Sequence, residues 1–181
     1  PSAFGAAYIR GSVNIGLTPS SVNWLGMVMP SDADIVIVAD TPARADEAAY
    51  IYRRAGYDRL IGYLGDGINS WAAQAKPLDH LPQLTPESLK YVFDKYTDHL
   101  VVDVRSDVEW DSGHIENAVH IPIGKIIKGD FELDKNRNIT VVCGSGYRGN
   151  IAGSILKALG YPKVFSLIGG MTGWQASQKA R

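Results

Sequence analysis

Short apolar runs alternate with amphipathic stretches over the second half of this 181-residue chain. The apolar runs lie at residues 100–104, 118–121, 139–142 and 164–167. Residues 148–159 instead carry apolar side chains at helical spacing, at Ile151, Ile155, Leu156 and Leu159. This alternation of strand-like and helix-like segments predicts an α/β domain, with a mainly parallel sheet flanked by helices on both faces.

The first half of the chain repeats the pattern of the second half. Three blocks align: "AFGAAYIRGSVNI" (3–15) with "EWDSGHIENAVHI" (109–121), "IVIVADTPAR" (35–44) with "ITVVCGSGYR" (139–148), and "AGYDRLIGYLGDGINSW" (55–71) with "LGYPKVFSLIGGMTGW" (159–174). The offset between the copies stays between 103 and 106 residues. Such regularity indicates two copies of one structural unit.

A proline-rich segment, "AKPLDHLPQLTPESL", separates the two copies. We predict domains at residues 1–76 and 85–181 with a linker at 77–84, after which Thr85 and Pro86 start a helix. The first copy has no counterpart of the second copy's opening helix and strand. A sheet without its first strand exposes an unpaired edge, so we expect the first domain to be N-terminally incomplete and the chain to continue a longer polypeptide.

Charge and composition narrow the range of partners and compartments. The formal net charge is −1, with basic and acidic residues interspersed, which favours neither a nucleic acid nor a membrane surface as partner. No apolar run approaches the roughly 18 residues of a membrane span, and the start of the chain lacks the layout of a signal peptide, so we predict a cytoplasmic protein. The four histidines show no metal-ligand spacing, so no metal site is expected.

The single cysteine, Cys143, lies between the predicted strand 139–142 and a helix that begins near Arg148. Gly144 and Gly146 allow the backbone to turn sharply, so successive N–H groups can form an anion-binding nest at the helix N-terminus. Such a nest favours the thiolate form of Cys143 and so makes it a nucleophile. The guanidinium of Arg148 can hold an oxyanion. The alternative is a buried cysteine that only packs.

The first copy lacks this arrangement. The residues aligned with 143–147 are Ala39, Asp40, Thr41, Pro42 and Ala43. The thiol and both glycines are therefore absent, although Arg44 remains. Pro42 has no N–H to donate, and Asp40 would repel an anion. We predict that the first copy is catalytically inactive.

These motifs resemble the signature of the rhodanese (sulfurtransferase) superfamily. The resembling blocks, in order, are "LVVDVRSDVEWDSGHIENAVHIP", "VVCGSGYRG" and "LGYPKVFSLIGGMTGW". The resemblance implies two rhodanese-like domains, an inactive one followed by an active one. The same order occurs at the C-terminus of certain persulfide dioxygenases, after a metallo-β-lactamase-fold domain. A fused domain of that kind, holding iron, is therefore implied as a partner, and no cofactor is expected in this chain.

The resemblance also implies a two-step sulfur transfer through a persulfide on Cys143, with Arg148 orienting the donor. The implied donors are thiosulfate and low-molecular-weight persulfides, and the implied acceptors are thiols, sulfite and cyanide. The residues implied to bind substrate are Gly144, Ser145, Gly146, Tyr147 and Arg105. Asp103, in a buried ion pair or hydrogen-bond network, and His114, in a turn, are implied as structural support.

Two other functions remain open. A phosphatase or arsenate reductase on the same fold also uses a cysteine, a nest and an arginine, but places one residue more between them than the four found here. The pair of domains could instead be a non-catalytic docking module of a larger sulfur-oxidising enzyme. Within the sulfurtransferase hypothesis, Gly144 and Ser145 stand where many thiosulfate-using relatives carry basic residues, so a strong preference for thiosulfate is not expected.

Overall fold

The computed structural model of the chain describes residues 2–179, which separate into two units. The larger unit combines the residues up to Ala6 with Gly11–Asn14 and the described residues from His80 onward. The smaller unit comprises Ala7–Arg10 and Ile15–Asp79. Within the described part of the chain, no helix is long and apolar enough to cross a membrane.

The smaller unit contains two sheets of two strands each. Up to Asp79 the elements are α1 (Ser2–Ala6, in the larger unit), β1 (Tyr8–Ile9), α2 (Ser21–Val28), β2 (Ile35–Val38), α3 (Pro42–Arg54), β3 (Leu60–Leu64), α4 (Gly67–Ala73) and β4 (Leu78–Asp79). Strands β1 and β4 pair antiparallel, and β2 and β3 pair parallel. The buried core of this unit consists of Leu25, Ile37, Ala45, Ala48, Tyr52 and Tyr57.

The larger unit is built on a five-stranded parallel sheet in the order β5-β9-β8-β6-β7. Its further elements are β5 (Gln83–Leu84), α5 (Pro86–Lys95), β6 (His99–Asp103), α6 (Asp107–Asp111), β7 (Val119–His120), α7 (Ile123–Lys128), β8 (Asn138–Val142), α8 (Tyr147–Ala158), β9 (Val164–Leu167) and α9 (Gly170–Lys179). Helix α5 contacts α9, and α7 contacts α8. Ile139, Val141 and Val142 of the central strand β8 are fully buried, as expected for a parallel strand covered by helices on its faces.

The predicted α/β fold is confirmed for the larger unit. Strands β6, β7, β8 and β9 and helix α8 begin and end within one residue of their predicted bounds, and helix α5 begins at the predicted Pro86. Helix α5 begins where Thr85 accepts a hydrogen bond from the Ser88 N–H, with Pro86 in its first turn. Capping and periodicity were therefore sufficient to locate these elements.

The segment predicted as a linker, 77–84, contains the two short strands β4 and β5. Strand β5 pairs with β9 at the edge of the five-stranded sheet, and the Ser166 N–H donates to the carbonyl oxygen of Pro82 at 2.9 Å. A proline is tolerated at a sheet edge, where its missing N–H is not needed. The prolines that suggested an irregular linker therefore do not prevent pairing there.

The first residues of the chain pack with the larger unit, although the repeat assigns them to the first copy. Helix α1 and residues Gly11–Asn14 belong to the larger unit. The Leu81 N–H donates to the Gly5 carbonyl oxygen at 3.1 Å, and the Asn14 N–H donates to Oγ of buried Ser154 at 3.0 Å. These hydrogen bonds hold the start of the chain against the unit formed by its end, which an alignment of repeats does not reveal.

Candidate active site

Cys143 lies at the carboxyl end of β8, where the chain turns into α8. Residues 143–148 form this turn and are called the Cys143 loop below. Gly146 is the N-cap of α8 and has a left-handed backbone, with φ at 98°. Glycine adopts this conformation without the steric cost that a Cβ brings. Its N–H donates to the cysteine sulfur with an N to Sγ distance of 3.1 Å, so the loop directs a backbone dipole at the thiol.

The Cys143 loop is tied to the start of α9. The Met171 N–H donates to the Cys143 carbonyl oxygen at 2.7 Å, and both the N–H and the hydroxyl of Thr172 donate to the Gly144 carbonyl oxygen at 3.0 Å. Cys143 itself is 1% exposed. The sulfur is therefore buried and held in one place beneath a short loop.

Asn150, near the start of α8, supports the loop from its buried side. Its Nδ2 donates to the Gly146 carbonyl oxygen at 2.8 Å, and its Oδ1 accepts from Gln83 Nε2 at 3.1 Å. Because a buried amide needs partners, this pair of bonds both satisfies Asn150 and fixes the loop. Sequence reasoning missed it, although an asparagine next to the apolar stripe of α8 is a signal for a buried polar contact.

An open cleft of about 330 Å³ lies beside the Cys143 loop. It is lined by Gln83, Ser145, Gly146, Tyr147, Asn150, Leu167, Ile168 and Gly169. The cleft thus brings together three of the residues predicted to bind substrate, Ser145, Gly146 and Tyr147. Its lining side chains are uncharged.

The guanidinium of Arg148, the last residue of the Cys143 loop, is bound by Glu109. The two terminal nitrogens of the guanidinium donate to the two carboxylate oxygens at 2.7 and 2.5 Å. Glu109 also accepts hydrogen bonds from the N–H and hydroxyl of Ser106, in a capping box that starts α6. Sequence reasoning did not identify Glu109, although the S-x-x-E spacing of the capping box was visible.

The paired charges shift each other's titration. The hydrogen bonds from Arg148, aided by those from Ser106, lower the pKa of Glu109 from 4.5 to about 2. The carboxylate in turn raises the pKa of Arg148. A lowered carboxyl pKa adds stability that is complete above about pH 4.5 and is lost as the pH falls toward 2. Both groups are therefore charged throughout the neutral range.

Asp103 and Arg105 form a buried ion pair at the end of β6. Arg105 Nε lies 3.0 Å from both carboxylate oxygens and Nη2 lies 2.8 Å from Oδ2, and the side chains of Arg105 and Asp103 are 6% and 1% exposed. Nη2 of Arg105 also donates to the Gly113 carbonyl oxygen at 2.8 Å. Nε and Nη2 of Arg105 are thus engaged within the fold, and the role of Arg105 in substrate binding stays a prediction.

His114 is exposed and stacks on Trp110, with ring centres 3.6 Å apart, and its Nδ1 donates to the Trp110 carbonyl oxygen at 3.1 Å. His120 stacks on the same indole, with ring centres 4.6 Å apart. Both imidazoles thus pack on α6, and the supporting role of His114 stays a prediction. Among residues 2–179, no group of three metal-ligating side chains is arranged to hold an ion.

The chain resembles known proteins over most of its length. A model of the Rhodanese-like domain matches residues 1–74 and 85–177. YrkF of Bacillus subtilis (strain 168), named as a sulfur carrier protein, is 34% identical over 94 residues, which are 52% of this chain and 51% of that protein. GlpE of Coxiella burnetii, named as a thiosulfate sulfurtransferase, is 32% identical over 82 residues, or 45% of this chain and 77% of that protein. The chain therefore spans about half of YrkF and a larger share of GlpE.

Solved structures share the same fold. The structure of reduced CoADR-RHD from Bacillus anthracis superposes with a TM-score of 0.50 at 23% identity and covers 56% of this chain and 18% of that one. At this level of identity the likeness concerns the fold alone. It agrees with the five-stranded parallel sheet described above.

Proposed function

Since the chain belongs to the rhodanese-like domain family, we propose that it is a sulfurtransferase that carries sulfane sulfur as a persulfide on Cys143. The observation that carries this proposal is the hydrogen bond from the Gly146 N–H to Sγ at the N-terminus of α8. A backbone donor and a helix N-terminus both stabilise negative charge on sulfur. They serve the thiolate before transfer and the persulfide anion after it.

The reaction proceeds in two displacement steps. The Cys143 thiolate attacks the outer sulfur of the donor, and a new S–S bond forms while the donor's own S–S bond breaks. The electron pair of the broken bond leaves on sulfite when the donor is thiosulfate, or on a thiolate when it is a persulfide. An acceptor nucleophile, which is cyanide, sulfite or a thiol, then attacks the outer sulfur and releases the Cys143 thiolate.

Two observations bear on the substrates. The burial of Cys143 favours donors that present a slim terminal sulfur, as thiosulfate and low-molecular-weight persulfides do. The cleft beside the Cys143 loop is lined by uncharged side chains, which suit the organic part of a thiol or persulfide. The name of GlpE supports thiosulfate as a donor, so both classes belong to the proposal.

We assign the inactive role to the first copy. Ala39 stands where the second copy has Cys143, and Thr41 caps α3 by accepting from the Arg44 N–H at 3.3 Å. This is an ordinary helix start with Pro42 in the first turn. We therefore propose a degenerate rhodanese-like domain at 1–76 and an active one at 85–181. A fused metallo-β-lactamase-fold domain with iron stays a prediction, as does the cytoplasmic location.

Sulfur uptake tests the proposed activity directly. We expect incubation with thiosulfate or glutathione persulfide to add the mass of one sulfur atom to the peptide that contains Cys143. Subsequent cyanide should remove the added mass and yield thiocyanate in equal amount. Mass spectrometry and a thiocyanate assay measure the two steps. Hydrolysis of an aryl phosphate without any sulfur uptake would instead support the phosphatase alternative, and the absence of both reactions would support a docking module.

Gly146→Ala tests the backbone of the Cys143 loop. An alanine at a left-handed position costs about 1–2 kcal/mol and rotates the N–H away from the sulfur, so we expect sulfur uptake to slow by about tenfold or more. Gly129→Ala is the matched control, because Gly129 has φ at 71° but caps α7. Quenched time courses of sulfur uptake give the rates of the two variants, and urea unfolding gives their stabilities. Equal stability losses with equal uptake rates would contradict the role of the Gly146 N–H.

A further inference from the structure

The charge of Arg148 is already neutralised in the described structure. Glu109 binds both terminal nitrogens of the guanidinium, and the two side chains are only 36% and 25% exposed. Bidentate pairs of this kind are among the stronger hydrogen-bonded contacts in proteins, because both partners are ionised and their planes match. A donor that needs the guanidinium must therefore compete with a carboxylate that is held in place by α6.

The pair also lies next to the Cys143 loop. A Cβ built on Gly144, the residue that follows Cys143, would lie 3.2 Å from Nη2 of Arg148 and 3.6 Å from Oε1 of Glu109. The Glu109 carboxylate thus cancels the positive charge of Arg148 beside the Cys143 loop. A dianion brought to this point gains no net attraction from the guanidinium unless it displaces Glu109, whereas a donor that makes no contact with the guanidinium loses nothing.

We propose that Glu109 is a specificity-determining residue that holds Arg148 and disfavours thiosulfate relative to persulfides carried on organic thiols. The inference rests on the proposed sulfurtransferase activity and assigns its preferred donor class. Thiosulfate is a dianion whose sulfonate must either displace Glu109 from Arg148 or bind beside it. A thiol-borne persulfide delivers the same outer sulfur as S–SH and releases a thiolate, so it places no sulfonate at the guanidinium.

Glu109→Gln separates charge from structure. Glutamine suits the third position of a capping box as glutamate does, so α6 keeps its start, and Arg148 loses only its anionic partner. We expect kcat/KM for thiosulfate to rise about tenfold, through a lower KM, and kcat/KM for glutathione persulfide to stay within about twofold. The ratio of the two donors is the readout, because a purely structural role would lower both values together.

Asp107→Asn is the control, since it removes the same charge from the same first turn of α6 at an exposed position. Its donor ratio should equal that of the unsubstituted chain. If Glu109→Gln has the same donor ratio as the unsubstituted chain while both donors still load Cys143, the role of Glu109 is overturned. The sulfurtransferase proposal then remains intact. If neither donor loads Cys143 in the unsubstituted chain, both the role of Glu109 and the sulfurtransferase proposal are overturned.

Glu109→Ala frees Arg148 completely. It should shift the donor ratio in the same direction as Glu109→Gln, provided that circular dichroism shows α6 still folded.

Discussion

Cys143→Ser should abolish sulfur uptake and reduce thiocyanate formation by about 10³-fold or more. A serine hydroxyl stays protonated near neutral pH and forms no stable bond to sulfane sulfur, so neither displacement step can start. The substituted atom is small and the residue is buried at the end of β8. The free energy of unfolding should therefore change by only about 1 kcal/mol. Rate measurements with thiosulfate and with glutathione persulfide, each followed by cyanide, check the result.

The first copy offers a control for the environment of the thiol. Ala39→Cys, introduced together with Cys143→Ser, places one cysteine at the aligned position of the first copy. The residues that follow it are Asp40, Thr41 and Pro42, and the helix there is capped by a side chain rather than by a left-handed glycine. We expect no transfer by this variant. Activity at position 39 would show that the Cys143 loop contributes nothing beyond the presence of a thiol.

The sequence was sufficient to predict the parts of the site that are local. Apolar periodicity located β8 and α8, and the glycines around Cys143 indicated a turn with inward N–H groups. These features depend on neighbouring residues, so the pattern of a few positions contains them. The N–H of Gly146 that donates to Sγ belongs to this class.

The contact between Arg148 and Glu109 is not local in the sequence, and the sequence alone did not predict it. Glu109 lies 39 residues away, and the two meet only because β6 and β8 are adjacent and parallel, with Asp103 opposite Val142. The carboxyl ends of parallel strands lie at one edge of the sheet, which brings the start of α6 to the Cys143 loop. Without the strand order, the S-x-x-E spacing at 106–109 can indicate only a helix start and nothing about an arginine. The same holds for Gln83 and Asn150, which β5 and α8 bring together.

Loss of the ion pair at the end of β6 should destabilise the larger unit strongly. Asp103→Asn keeps the shape and one acceptor oxygen but removes the charge, and Arg105 then remains buried with no carboxylate partner. Leaving a charge unpaired in the interior costs about 3–5 kcal/mol. The expected result is a loss of that size in the free energy of unfolding, and a release of the turn that Arg105 holds through Gly113. Urea unfolding, with hydrogen exchange at the β6 and β8 amides, measures both.

The double variant Asp103→Leu with Arg105→Met shows whether the cost comes from the unpaired charge. Replacing both members of a buried pair by apolar residues of similar size is often neutral, so we expect the double variant to be more stable than Asp103→Asn. The Gly113 carbonyl oxygen would lose its donor in this variant, which limits the recovery. If Asp103→Asn lost less than about 1 kcal/mol, the pair would behave as an exposed one, and the buried guanidinium would need another partner to explain its stability.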